Sequence, residues 1–127
     1  MVSESARMSS AAEARFRIQT PPPTNRAVKM IDLDAASDAD VMRVIGEIDD
    51  TDLVLMVVRA GGNTAAVSAI GTACSDLRVM THTVVIRDAA SSDAALSKTL
   101  GEVRPWSLMV VVVGRRDYVD DILRSFR

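Results

Sequence analysis

Arg59, Gly61, Gly62, Asn63 and Thr64 follow directly on the apolar run Leu53-Val54-Leu55-Met56-Val57-Val58. Residues of these types at this spacing suit one kind of chemistry, the holding of an anion. Glycines let the backbone approach a phosphate closely, and free N–H groups at the start of a following helix point at it. The Thr64 hydroxyl could donate to the same group or cap the helix. Arg87 follows a second apolar run at residues 83–86, and Arg115 a third at residues 108–113. The same residues also admit a plainer reading. Gly61-Gly62 would serve as a tight turn with Asn63 or Thr64 as the helix N-cap, and charges just past an apolar strand guard against aggregation.

Other chemistry has less to build on. Asp32, Asp34, Asp88 and Asp117 could share Mg²⁺ with a bound phosphate, although caps and surface carboxylates account for them as well. Cys74 and His82 are the sole cysteine and histidine. A Cys-His pair does acyl and thiol chemistry, but Cys74 falls on the inward stripe of its predicted helix and His82 at the far end of the next strand. Both read as structural. A zinc site wants about four Cys or His ligands, more than the chain supplies. Neither G-x-x-x-x-G-K-[ST] nor G-x-G-x-x-G is present, which argues against a Walker-type ATPase or an ordinary dinucleotide enzyme. No catalytic residue is assigned.

The elements that must position the loop are legible in the periodicity. Strands are predicted over residues 27–33, 53–58, 83–86 and 108–113, the second and fourth apolar at every position. Between them run helices. The first opens at Ser37 with Asp38 and Asp40 in its first turn, and Val41, Val44, Ile45 and Ile48 form its inner face. The second, over residues 64–77, carries Val67, Ile70, Cys74 and Leu77. The third is capped by Ser91 or Ser92, buries Leu96, Leu100 and Val103, and ends before Pro105. The last, over residues 117–126, places Tyr118, Val119, Ile122, Leu123 and Phe126 on one side. Met30, Met56 and Met109 read as core filler. Trp106 reads as a plug at the bottom of the sheet or as a partner contact.

Right-handed crossovers turn this pattern into an α/β domain. It is a single three-layer unit with a four-stranded parallel sheet (β-α repeated four times, Rossmann-like or flavodoxin-like). Ligands in such sheets sit outside the carboxyl ends of the strands, near the point where strand order reverses. Arg59, Arg87 and Arg115 share that rim with Gly61, Gly62, Asn63 and Thr64, the cofactor-binding set this sequence predicts. Residues 52–87 resemble the phosphate-loop segment of the tubulin and bacterial FtsZ family. That family has a strand, a G-G-G-T-G-[ST]-G loop, a helix, and a G-[IV]-[LM]-T turn into the next strand. Gly61, Gly62 and Thr64 match its loop glycines and threonine, and Val79, Met80 and Thr81 match the turn. Asn63 stands at the third glycine, and Ala65-Ala66-Val67 where the family keeps its second G-[ST]-G. The resemblance implies a distantly similar nucleotide-binding fold, with or without Mg²⁺, and not a polymerising GTPase.

Composition bounds the rest. The 127 residues suit one domain, and 48% are hydrophobic but only 3% aromatic, so Val, Ile, Leu, Ala and Met must build the core. A net charge of -2 argues against nucleic acid as the main partner. No apolar run reaches the roughly 18 residues that span a membrane, and a lone cysteine fits a reducing, cytoplasmic setting. Residues 1–25, rich in Ser, Ala and Arg and ending in Pro21-Pro22-Pro23, read as a disordered arm and stiff spacer before an α/β domain over residues 26–127.

Three functions fit these features. The first is a sensor, regulatory or accessory protein that binds a phosphate-bearing, nucleotide-like ligand at the rim without strong catalytic equipment. The second is a protein–protein interaction module or accessory subunit with no small-molecule ligand, its partner met by the N-terminal arm. The third is an enzyme acting on a phosphorylated or carboxylated small molecule. A sheet with apolar edges could also pair with a second copy of the chain to form a homo-oligomer.

Overall fold

The computed structural model describes residues 27–126. The arm expected over residues 1–25, and the partner contact assigned to it, lie outside those residues. The described chain alternates strand and helix throughout: β1 Val28–Asp32, α1 Asp38–Gly46, β2 Leu53–Arg59, α2 Val67–Asp76, β3 Met80–Ile86, α3 Asp93–Val103, β4 Met109–Val113 and α4 Asp117–Ser125. Short 3₁₀ turns at Ile48–Asp50 and Arg104–Trp106 lead into β2 and β4. The α/β class and the four-stranded parallel sheet are as the sequence predicts, and the strand order is β1-β2-β3-β4.

That order decides where the helices go. A right-handed crossover that always steps in the same direction leaves every connecting helix on the same face. Val44 of α1, Val67, Ile70 and Cys74 of α2 and Val103 of α3 accordingly share one core with Ile31, Val54, Met56, Val58 and Val85. Among the described helices only α4, which follows the last strand and is no crossover, folds over the opposite face. Its Val119, Ile122, Leu123 and Phe126 pack on Leu55, Val57, Val84 and Ile86. The sheet thus has helices on both faces, three against one, and its order never reverses. No topological crevice opens at the carboxyl rim.

Burial follows position in the sheet. Leu53 to Val58 of β2 are all buried, and each such side chain contributes about 1.5–3 kcal/mol. β4 is as apolar as β2 but lies at the edge, and none of its residues is fully buried. One helix cannot roof four strands, so Met30 on β1 and Met109 on β4 stay at the open margins of the α4 face, 43% and 38% exposed. Of the three methionines expected in the core, only Met56 is fully there.

Local chemistry moves several element ends. Ser37 caps α1 in a capping box with Asp40, and Ser92 caps α3. α2 begins at Val67 with Ala66 as an N-cap that makes no side-chain bond, so neither Asn63 nor Thr64 is its cap. Asn63 instead accepts the Ala65 N–H in a local turn at 3.0 Å, and the Thr64 hydroxyl donates to Glu102 of α3. Leu77, expected on the buried stripe, is exposed because α2 stops at Asp76 and the chain turns out through Arg78, whose φ is 56°. Tyr118 is exposed as well. It sits one residue off the Val119, Ile122, Leu123, Phe126 stripe, with the Arg115 guanidinium 5.0 Å from its ring centroid.

Candidate functional site

The predicted residues do gather at the carboxyl rim. The loop after β2 holds Arg59, Gly61, Gly62, Asn63 and Thr64 beside the loop after β1, which carries Asp34. Around Asp34, Arg59, Gly61 and Gly62 lies an open depression of about 300 Å³. Gly61 takes φ 80°, a left-handed turn that favours glycine. Gly62 is required for space: a Cβ there would lie 2.2 Å from Asp34 Oδ1 and 2.8 Å from the Arg59 carbonyl.

The loop amides already have acceptors. Asp34 Oδ2 accepts the Arg59 N–H at 2.8 Å, and Asp34 Oδ1 the Asn63 N–H at 2.9 Å. The Gly61 N–H donates to Thr99 Oγ1 of α3 at 2.8 Å, and the Gly62 N–H to the Arg59 carbonyl at 2.7 Å. The cradle therefore holds an anion, and that anion is the carboxylate of Asp34. A phosphate bound to the same amides would have to displace it.

The arginines are engaged in the same way. Arg59 donates to Asp88 at 2.9 Å, Arg115 to Asp117 at 2.9 Å, Arg116 to Asp32 at 2.7 Å, and Arg87 pairs with Asp93. These pairs are exposed and screened by solvent, so each contributes little stability. Their effect is on charge, since each rim cation faces a carboxylate. Asp88 is the most heavily bonded. The Ala90 N–H, the Ser91 hydroxyl and Arg59 all favour its ionised form and hold its carboxyl below the usual carboxylate range. The four aspartates considered for Mg²⁺ are bonded within the fold. Among the described residues, no group of three or more His, Cys, Asp or Glu side chains is placed to hold a metal ion.

Cys74 is fully buried, and burial pushes its thiol above the ordinary range. His82 lies inside β3, 8% exposed, with its ring 5.0 Å from that of Phe126. Both belong to the packing of the sheet. They also lie on opposite faces, Cys74 with the α2 core and His82 under α4.

Sequence reasoning missed three residues that shape the rim: Asp34 as the internal anion, Thr99 and Glu102. Thr99 had a readable signal, because a hydroxyl at 2% exposure sits on the otherwise apolar stripe of Leu96, Leu100 and Val103. Asp34 had none, since its partners lie 25 and 29 residues away. No protein-family model and no curated protein matches this sequence. No described helix is long and apolar enough to cross a membrane.

Proposed function

We propose that this domain is a protein-interaction module, an accessory or regulatory subunit that docks a partner along the open β4 edge. One observation carries the reading. β4 and the residue before it, Leu108 to Val113, form an uncharged apolar strand paired on one side only among the described residues, with Leu108 73% and Val112 45% exposed. Such an edge offers unpaired backbone groups and a flat apolar surface to another chain, and proteins usually guard it with charges, prolines or bulges. The opposite edge, β1, carries Lys29 and Asp32. β4 carries no charge. Photo-cross-linking from a diazirine amino acid at position 109, in the protein's own cell extract, tests the proposal: adducts should form there and vanish in Leu108→Lys/Val112→Lys. Adducts that survive both lysines would remove β4 as the docking edge.

A second reading keeps the phosphate-bearing ligand at the rim. The observation in its favour is that the β2 loop, with left-handed Gly61 and close-packed Gly62, does hold a carboxylate. On this reading a nucleotide-like ligand, with or without Mg²⁺, displaces Asp34 and recruits Arg59, Arg87 and Arg115 from their aspartates. A thermal shift against GTP, ATP, NAD and inorganic phosphate tests it. A ligand at a hundred times its Kd adds about 2.7 kcal/mol, and a flat response to all of them removes the reading.

A further inference from the structure

We infer that the β4 edge and the cavity beside Trp106 together receive an extended, acidic strand from a partner protein, an inference that rests on the β4 docking proposed above. Strand addition takes its affinity from main-chain hydrogen bonds and its selectivity from pockets for alternate side chains. The edge supplies the first. A cavity of about 410 Å³ at the amino end of β4, lined by Arg78, Val79, Met80, Trp106 and Leu108 among others, supplies the second. Its volume admits a large apolar side chain.

Trp106 is a fixed wall of that cavity. Gly71 of α2 lies so close that a Cβ there would meet Trp106 Cβ at 2.7 Å and its ring at 2.8 Å. One side of the indole is thereby seated, while the residue stays 37% exposed. Fixed, half-exposed aromatic residues beside a pocket are the usual anchors of protein interfaces.

Charge selects the occupant. Arg43, Arg59, Arg87, Arg115, Arg116 and Arg124 are each paired with an aspartate. Arg78 and Arg104 have no ion pair among the described residues, and both are exposed. Arg78 lines the cavity, and Arg104 opens the turn that carries Trp106. Arg78 also holds a left-handed φ of 56°, which costs a non-glycine residue about 1–2 kcal/mol. One guanidinium lining the cavity and a second at the residue before its Pro105–Trp106 wall, neither ion-paired among the described residues, call for carboxylates on the incoming strand. A second copy fits less well, because its own β4 run, Leu108 to Val113, carries no carboxylate to meet Arg78 or Arg104.

Fluorescence anisotropy of the full chain with three labelled ten-residue peptides decides the matter. One alternates Glu with Val around a central Phe, one has Lys for each Glu, and one has Pro at alternate positions. The acidic peptide should bind, more weakly as salt rises, and the other two should not. Arg78→Glu/Arg104→Glu should weaken the acidic peptide by on the order of tenfold or more and favour the lysine peptide. Val112→Asp should abolish binding, with melting curves confirming that both variants fold. Equal binding of acidic and basic peptides, or of the acidic peptide to parent and charge-reversed chain, overturns the inference. If cross-linking still maps a partner to β4, the edge proposal survives and only the acidic occupant falls. A dimer in sedimentation that Val112→Lys splits would make the occupant a second copy and overturn the inference too.

Discussion

The carboxylate of Asp34 accepts the backbone N–H of Asn63 at 2.9 Å and with its other oxygen that of Arg59 at 2.8 Å, bridging the loops after β1 and β2. It does inside the fold what a bound anion would do from outside. Replacing Asp34 by Ala leaves both amides without that acceptor, and each charge-assisted bond contributes about 1.5–3 kcal/mol at most, less where water can reach it. Urea denaturation should show Asp34→Ala destabilised by about 1–3 kcal/mol. Millimolar sulfate or phosphate should restore part of that loss by entering the emptied cradle. Sulfate that stabilises parent and variant alike would mean the cradle is not selective for an anion.

The glycines of this chain separate into those under constraint and those that are not. Gly62→Ala would force a Cβ against the Asp34 carboxylate and the Arg59 carbonyl, and forced overpacking costs about 1–3 kcal/mol. Gly61→Ala carries the left-handed penalty at φ 80°, with Ala95 Cβ only 3.3 Å away, and should cost about 1–2 kcal/mol. Gly101→Ala, on the exposed side of α3 with nothing within 4 Å, should instead stabilise, by about 0.5–1 kcal/mol. Chemical denaturation of the three variants side by side gives the signs directly.

What was legible and what was not follows from the range of each interaction. Strands and helices are set by local period, so the α/β alternation, the Ser37 cap and the buried Val67, Ile70 and Cys74 stripe could be read along the chain. Strand order is not local. An apolar run such as Leu108 to Val113 looks the same in the middle of a sheet as at its edge, although β2 is buried and β4 half open. The rim residues were found by type and place, but their partners were not. Asp34 meets Asn63, Thr99 meets Gly61 and Arg116 meets Asp32 across separations of 29, 38 and 84 residues.

Asp88 gives the pH dependence a definite sign. Its folded pKa lies below its unfolded value, through the Ala90 N–H first, then Ser91 and Arg59. A depressed carboxyl contributes stability that is present above the unfolded carboxylate pKa of about 3.9. That contribution is lost as pH falls through the lower folded pKa. An NMR titration of the Asp88 side chain should find its midpoint below the free value, and Asp88→Asn should flatten the acid limb of the stability curve slightly. A midpoint at the free value would mean that the turn at residues 88–91 is open in solution.

Gly71 and Trp106 give the last test, because they couple the core to the docking surface. A methyl group at position 71 would meet the Trp106 side chain at 2.7 Å, and the helix backbone beneath it is fixed by the β2 and β3 contacts of α2. The turn that carries Trp106 must therefore shift and take the indole away from α2. Trp106 is the sole tryptophan, so its emission reports the displacement without labelling. Gly71→Ala should shift the emission to longer wavelength and destabilise by about 1–3 kcal/mol, even though alanine is the better helix former. Gly71→Ala with Trp106→Gly removes the clash, Cβ contact included, so the two changes should be strongly non-additive. A parent-like emission maximum in Gly71→Ala would mean that the indole is not seated on α2. The cavity beside it would then lose its fixed wall.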